Sequence, residues 1–151
     1  MIIVSACLAG IQCRYDGKSD TCDYIEQLVK SGEAVPVCPE LLGGLKIPRV
    51  PAEKVITDGI VKIVNKEGID VTQNFIDGAE KTLEIARIIG AETAVLKAKS
   101  PSCGNKFIYD GTFAGKLIKG RGITAEMLER NGIKVYNENE AEELINEKKQ
   151  F

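Results

Sequence analysis

The chain contains no histidine. That removes Ser-His-Asp and Cys-His nucleophilic catalysis and every metal site with an imidazole ligand. Acid–base work falls to Glu, Asp, Lys, Tyr or water. No Cys-x-x-Cys pair occurs among the five cysteines, so zinc ribbons, thioredoxin-like redox motifs and ferredoxin-type cluster runs lack support. Positive charge is not in excess: the formal net charge is −2, and no basic face for duplex nucleic acid is advertised. A small nucleotide, which needs few cations, stays compatible. No apolar stretch approaches the roughly 18 residues of a membrane span. The start Met1–Ser5 lacks a basic n-region and reads as a buried first strand rather than a signal peptide. The expected setting is cytoplasmic, with no membrane contact. In that compartment an odd number of cysteines argues against a disulfide framework.

What is present reads as one domain over residues 1–151. Ile2–Val4 is a β-branched run that ends in Ser5-Ala6-Cys7, a strand entering a loop. Asp20 is expected to cap a helix with Ile25, Leu28 and Val29 inward and Gly32 at its end. Ala34–Val37 is a second strand. Pro39, Gly43, Gly44, Pro48 and Pro51 make the following segment a loop. Val55-Ile56 and Ile60–Val64 flank Thr57-Asp58-Gly59, a hairpin signal. Thr72 opens the longest helix, with Phe75, Ile76, Ala79, Leu83, Ala86 and Ile89 on one stripe and Gly90 at the end. Ala94–Leu96 is a third core strand. The Gly-rich segment 105–123 suggests a hairpin or flap. A helix runs from Thr124 to about Asn131, and Ile133–Tyr136 is a further strand. Asn137 and Glu140 form a capping box for a last helix, with Ala141, Leu144 and Ile145 inward. Strands alternating with helices predict an α/β layered, Rossmann-like fold around a mostly parallel central sheet, with ligands at the carboxyl ends of the strands.

Three cysteines follow predicted strands: Cys7 the first, Cys38 the second and Cys103 the third. If those strands are parallel neighbours, the three thiols emerge at one edge of the sheet. Burial as a small hydrophobe is the commonest fate of a free cysteine. Cys22, at a predicted helix start, fits that fate best. Cys13 lies on the Cys7 loop and is either a fourth ligand or packing. Three thiolates without a fourth leave an open metal position, which catalysis requires. As soft ligands they select Fe–S, zinc or Cu(I).

The stretches around these cysteines form four ordered motifs. They are Ser5-Ala6-Cys7-Leu8-Ala9-Gly10 with Arg14-Tyr15-Asp16-Gly17, and Cys38-Pro39-Glu40 with Gly43-Gly44-Leu45 and Pro48-Arg49. Pro51-Ala52-Glu53 and Lys99-Ser100-Pro101-Ser102-Cys103-Gly104 complete them. Together they resemble the thiouracil desulfidase family, formerly domain of unknown function 523, from residue 2 to about 136. The resemblance implies a [4Fe–4S] cluster held by Cys7, Cys38 and Cys103, with Cys13 outside the ligand set. It implies that Glu40 and Ser100 act on a water beside the cluster. The implied substrate is a thiolated pyrimidine such as 4-thiouracil, or its nucleoside or nucleotide. The product is the uracil form plus hydrosulfide, released hydrolytically without electron transfer.

The residues themselves leave other readings open. Glu40 alone reads as an exposed loop carboxylate. Ser100 alone reads as a turn-former before Pro101. Arg14, Lys46 and Arg49 read as solvated charges, able to meet a phosphate only if they line the same edge. A cluster-bearing sulfur carrier or redox protein would need the thiolates but neither Glu40 nor Ser100. A Cys-only zinc domain would need the thiolates alone and would be colourless.

Overall fold

The computed structural model describes residues 1–149, with side chains up to Glu143. Four parallel strands form the central sheet: β1 (Ile2–Ser5), β2 (Ala34–Val37), β5 (Thr93–Leu96) and β8 (Lys134–Asn137). Their order is β2-β1-β5-β8, all neighbours parallel. The chain reverses its direction of travel across the sheet between β1 and β5, and the crevice above such a switch point is where open α/β sheets take their ligands. Helices α1 (Asp23–Lys30), α3 (Thr72–Ile89) and α4 (Ile123–Arg130) supply the crossovers, and α5 (Glu138–Lys149) follows β8. Two antiparallel hairpins are added: β3 (Ala52–Thr57) with β4 (Ile60–Asn65), and β6 (Phe107–Tyr109) with β7 (Leu117–Lys119). No helix among the described residues is long and apolar enough to cross a membrane.

The sheet core splits by face. Ile3, Ala94 and Leu96 pack with Leu83, Ala86 and Leu128 on the α3/α4 side. Val4 and Val95 pack with Leu8, Ile25 and Ala141 on the α1/α5 side. Alternation along a strand produces this division, because successive side chains point to opposite faces. The β-branched runs thus act as two-sided buried strands, as a parallel sheet demands. The predicted stripe of α3 is buried at Phe75, Ala79, Leu83 and Ala86, and Gly90 closes the helix at φ 69°. The capping box of α5 forms as expected: Asn137 Oδ1 accepts the Glu140 N–H at 3.0 Å, and Glu140 Oε1 accepts the Asn137 N–H at 3.1 Å. Ala141 is buried; the Leu144 and Ile145 side chains lie outside the described residues.

Two local expectations are corrected. Asp20 does not cap α1. The N-cap is Cys22, without a side-chain hydrogen bond, and the Asp20 carboxylate is taken by Arg14 at 2.7 Å. The segment after β2 is not all loop. Pro39–Leu42 forms a one-turn helix, α2, with Pro39 in its first turn, where proline's missing N–H costs nothing. Sequence punctuation hid this helix, because its stability comes from α3. A Cβ added at Gly78 would stand 1.9 Å from the Pro39 carbonyl oxygen, and one at Gly43 would stand 1.9 Å from that of Asn74. The two helices therefore meet backbone to backbone. Asn74 Nδ2 and Lys81 Nζ donate to the Gly43 and Leu42 carbonyls at 2.8 and 3.1 Å, satisfying the end of α2. Gly78→Ala has to push α2, and with it Glu40, off α3. It should cost at least about 1–3 kcal/mol of stability, seen as a fall of several degrees in the unfolding midpoint. An unchanged midpoint would show that the crossing is not tight.

Candidate functional site

A cavity of about 560 Å³ opens over the carboxyl ends of β1, β2 and β5, within the size range of small-molecule and cofactor sites. Its wall includes Cys7, Cys13, Cys38 and Cys103 together with Glu40, Ser100, Arg49 and Glu53. Each cysteine arrives by its own route. Cys7 lies on a one-turn 3-10 helix, Ala6–Ala9, that continues directly from β1. Cys38 is the residue between β2 and α2. Cys103 closes the turn that follows β5, its N–H bonded to Ser100 Oγ at 3.0 Å. The parallel pairing of β1 with both β2 and β5 is what brings these exits to one edge.

Cys7, Cys13 and Cys103 are buried and Cys38 is half-buried, all as free thiols. Ser5 Oγ donates to Cys103 Sγ at 3.5 Å and accepts the Lys97 N–H at 2.9 Å, so one hydroxyl links the exits of β1 and β5 to a sulfur. The Cys38 thiol donates to the Cys13 carbonyl at 3.9 Å. Burial above all pushes the Cys103 thiol up to about 12, against the Ser5 hydrogen bond, with the charge of Glu40 adding to the rise. Cys13 interacts with Cys38, which lowers its pKa, but hydrogen bonding to Cys7 and burial outweigh this and push it up to about 11. Cys38 is driven up further, by its hydrogen bond with Cys13 and by burial. The Cys13, Cys38 and Cys103 thiols are therefore held toward the protonated form, and a metal taken by any of them displaces its proton.

The donor set fits an iron–sulfur cluster. Sulfur atoms carried by separate loops line one cavity, and soft thiolates are the ligands that hold iron–sulfur clusters. Cys13, which the sequence resemblance placed outside the ligand set, sits at 2 % exposure on the same wall. Cys22 does not join them: it is the N-cap residue of α1 and does not line the cavity.

Glu40 and Ser100 both reach the cavity, by different means. Glu40 projects from the first turn of α2, and its Oε1 accepts from Arg49 Nε at 3.3 Å. Arg49 is not the solvated charge expected from sequence. Its side chain is 8 % exposed, and it also donates to the carbonyls of Cys13 at 3.0 Å and Lys46 at 3.2 Å. One guanidinium thus ties the Cys13 loop to the carboxylate, a use suited to its fixed fork of donors. Arg14 is likewise engaged, with Asp16 and Asp20, while Lys46 is exposed as expected. Ser100 Oγ accepts two backbone N–H groups, those of Ser102 at 3.1 Å and Cys103 at 3.0 Å. The turn-forming reading and the cavity-lining one therefore hold together: the oxygen builds the turn and its hydroxyl proton stays free to donate. Lys99, just before it, is held at φ 71°, a left-handed conformation that costs a non-glycine residue about 1–2 kcal/mol.

Sequence reasoning missed Glu138. Its carboxylate accepts the Ala98 N–H at 2.8 Å and Lys97 Nζ at 2.9 Å, pinning the chain between β5 and Ser100. It also gave Ser5 no role beyond its motif. The signal for Ser5 was a polar residue at the end of a buried strand, where unpaired backbone groups need partners; Glu138, at the start of α5, carried none.

Known proteins are similar to this chain along nearly its whole length. A solved structure described as a [4Fe-4S]-dependent thiouracil desulfidase, TudS, superposes with a TM-score of 0.88 at 41% identity, covering 99% of this chain and 98% of that one. The uncharacterized protein YbbK of Bacillus subtilis (strain 168) is 47% identical over 151 residues, 96% of this chain and 100% of its own length. The family model for 2-thiouracil desulfurase matches residues 2–140, and the chain belongs to that family.

Proposed function

We propose that this chain is a [4Fe–4S]-dependent desulfidase that hydrolyses a thiolated pyrimidine, 4-thiouracil or its nucleoside or nucleotide, to the uracil form and hydrosulfide. The observation that carries the reading is the convergence of Cys7, Cys38 and Cys103 with Glu40 on one cavity above the β1/β5 switch point. Cys7, Cys38 and Cys103 are the cluster ligands in this proposal. When bound, the cluster supplies a soft, Lewis-acidic iron without a protein ligand, able to polarise a thiocarbonyl.

Glu40 takes a proton from a water in the cavity, and Arg49 keeps the carboxylate aimed. The hydroxide forms a bond to the ring carbon that bears sulfur, and the C–S bond then breaks. Sulfur takes up the proton held by Glu40 and departs as hydrosulfide with the C–S bonding electron pair, the second water proton passes from the new oxygen to solvent, and the ring regains its carbonyl. Water supplies every atom added and no electron donor is needed. Ser100, whose oxygen is already occupied by two N–H groups, serves as a hydrogen-bond donor to the water or to the departing sulfur rather than as a base. The reducing cytoplasm is the proposed setting, since it keeps free thiols available, and the whole activity is assigned to one domain over 1–151.

A sulfur carrier without hydrolytic activity is the competing assignment. It gives no reason for an oriented, half-buried Glu40–Arg49 pair in the same cavity as the thiols. Protein reconstituted with iron and sulfide under anaerobic conditions should convert 4-thiouracil to uracil with one sulfide released per uracil and no reductant added. A loaded protein that releases no uracil would overturn the proposal.

A further inference from the structure

The β6–β7 hairpin reaches the cavity through Tyr109, Phe113 and Gly115. Phe113 is held at φ 57°, a conformation in which a bulky side chain is a genuine outlier. Such a residue persists only where its surroundings over-determine it, and such residues cluster at ligand sites. Here the restraint is Glu53, a carboxylate 8 % exposed. One of its oxygens accepts both the Gly111 N–H at 3.0 Å and the Phe113 N–H at 3.1 Å. Placing a carboxylate in a nearly dry position to hold two backbone amides is costly, so the position of this loop matters to the molecule. The loop is fixed from two further sides. Asp110 Oδ1 accepts from the Thr112 N–H at 3.0 Å and from its hydroxyl at 2.6 Å. A Cβ at Gly111 would come within 2.9 Å of the Lys54 carbonyl oxygen, so the loop lies directly on β3.

The chain has only four Tyr and four Phe and no Trp, yet Tyr15, Tyr109 and Phe113 all line this one cavity. Aromatic faces in a thiol-lined cavity suit a flat heteroaromatic ring, which stacks on them with little dependence on its substituents. We infer that Phe113 is the platform on which the pyrimidine ring of the substrate stacks, and that Glu53 is the residue that positions it. The inference rests on the proposed desulfidase reading and deepens it. It accounts for the preference of the site for a planar ring over an open-chain thioamide. It also gives the Pro51-Ala52-Glu53 motif a task distinct from proton transfer.

The test uses cluster-loaded protein with the kcat and KM for 4-thiouracil, the Kd for uracil by calorimetry, and the iron content of each sample. Phe113→Asn keeps a residue that tolerates the left-handed backbone and removes the ring. It should retain iron and the parent's unfolding midpoint, while KM and the uracil Kd both rise by about 5- to 100-fold, the range of base–aromatic stacking; kcat should change far less. Phe113→Tyr, which keeps the ring, should recover most of the affinity, while a role in loop packing alone would instead lower the unfolding midpoint of Phe113→Asn. Glu53→Ala should raise KM in the same direction with iron retained, and Glu53→Gln, which keeps an acceptor oxygen, should lose less. If Phe113→Asn turns over with the parent's KM and uracil Kd, the platform is refuted while the desulfidase reading stands. A collapse of kcat at constant KM in Glu53→Ala would make Glu53 part of the chemistry and refute its positioning role. If the loaded parent itself fails to release uracil, the function has failed first and the platform with it.

Discussion

Glu40→Gln should give a brown, iron-loaded protein that releases uracil from 4-thiouracil about 10²–10⁴-fold more slowly than the parent, the usual cost of losing a general base. The substitution keeps the size of the side chain and leaves an oxygen to accept from Arg49 Nε, so α2 and the Cys13 loop keep their places. What it removes is the ability to hold a proton taken from water. Iron content and turnover must be measured on the same sample, because Glu40 is two residues from Cys38 and a loss of cluster would mimic a loss of base. Ser100→Ala makes a useful contrast. It deletes a donor but also the acceptor for the Ser102 and Cys103 N–H groups, so it should lose both rate and some cluster occupancy. If Glu40→Gln carries full iron and turns over like the parent, Glu40 is not the base and the sulfur-carrier assignment gains.

Replacing Cys7, Cys38 or Cys103 singly by Ala should abolish cluster loading and all desulfuration, since a cluster held by three thiolates has none to spare. Cys22→Ala should load normally, because its side chain stands at the start of α1 rather than in the cavity. Cys13 is the discriminating position. Its sulfur is buried on the cavity wall, and its backbone carbonyl is held by both Arg49 and the Cys38 thiol. Cys13→Ser retains that carbonyl and the side-chain shape, so with Cys7, Cys38 and Cys103 as the ligands it should keep its iron. Full iron in a Cys38→Ala protein, or a colourless Cys13→Ser protein, would mean that the ligand set has been drawn wrongly.

The frame of the molecule was legible because it is built from local signals. β-branched runs bounded by turns became the four parallel strands, Asp58-Gly59 became a hairpin turn with both residues at positive φ, and Asn137 with Glu140 became a capping box. The convergence of Cys7, Cys38 and Cys103 followed from a single topological assumption, parallel neighbouring strands, which the sheet meets. What could not be read depends on contacts between distant segments. α2 exists because Gly43 and Gly78 let two backbones touch across 35 residues. Arg49 is buried because Glu40 and the Cys13 carbonyl, 9 and 36 positions away, receive it. Asp20 looked like a cap because Asp commonly is one, but Arg14 competes for its carboxylate more strongly. Glu53 carried no periodicity or spacing signal, since its partners are the amides of a loop nearly 60 residues further on.

The most direct test of the account is to run the desulfuration of 4-thiouracil in water enriched in oxygen-18, anaerobically and without reductant, with uracil alone as the exchange control. Cluster-loaded protein should give uracil bearing one labelled oxygen at the former thiocarbonyl carbon, one sulfide per uracil, and no product once iron is stripped by chelation. Unlabelled uracil, a requirement for an electron donor, or equal turnover by the iron-free protein would each contradict hydrolysis at an iron–sulfur site in this cavity.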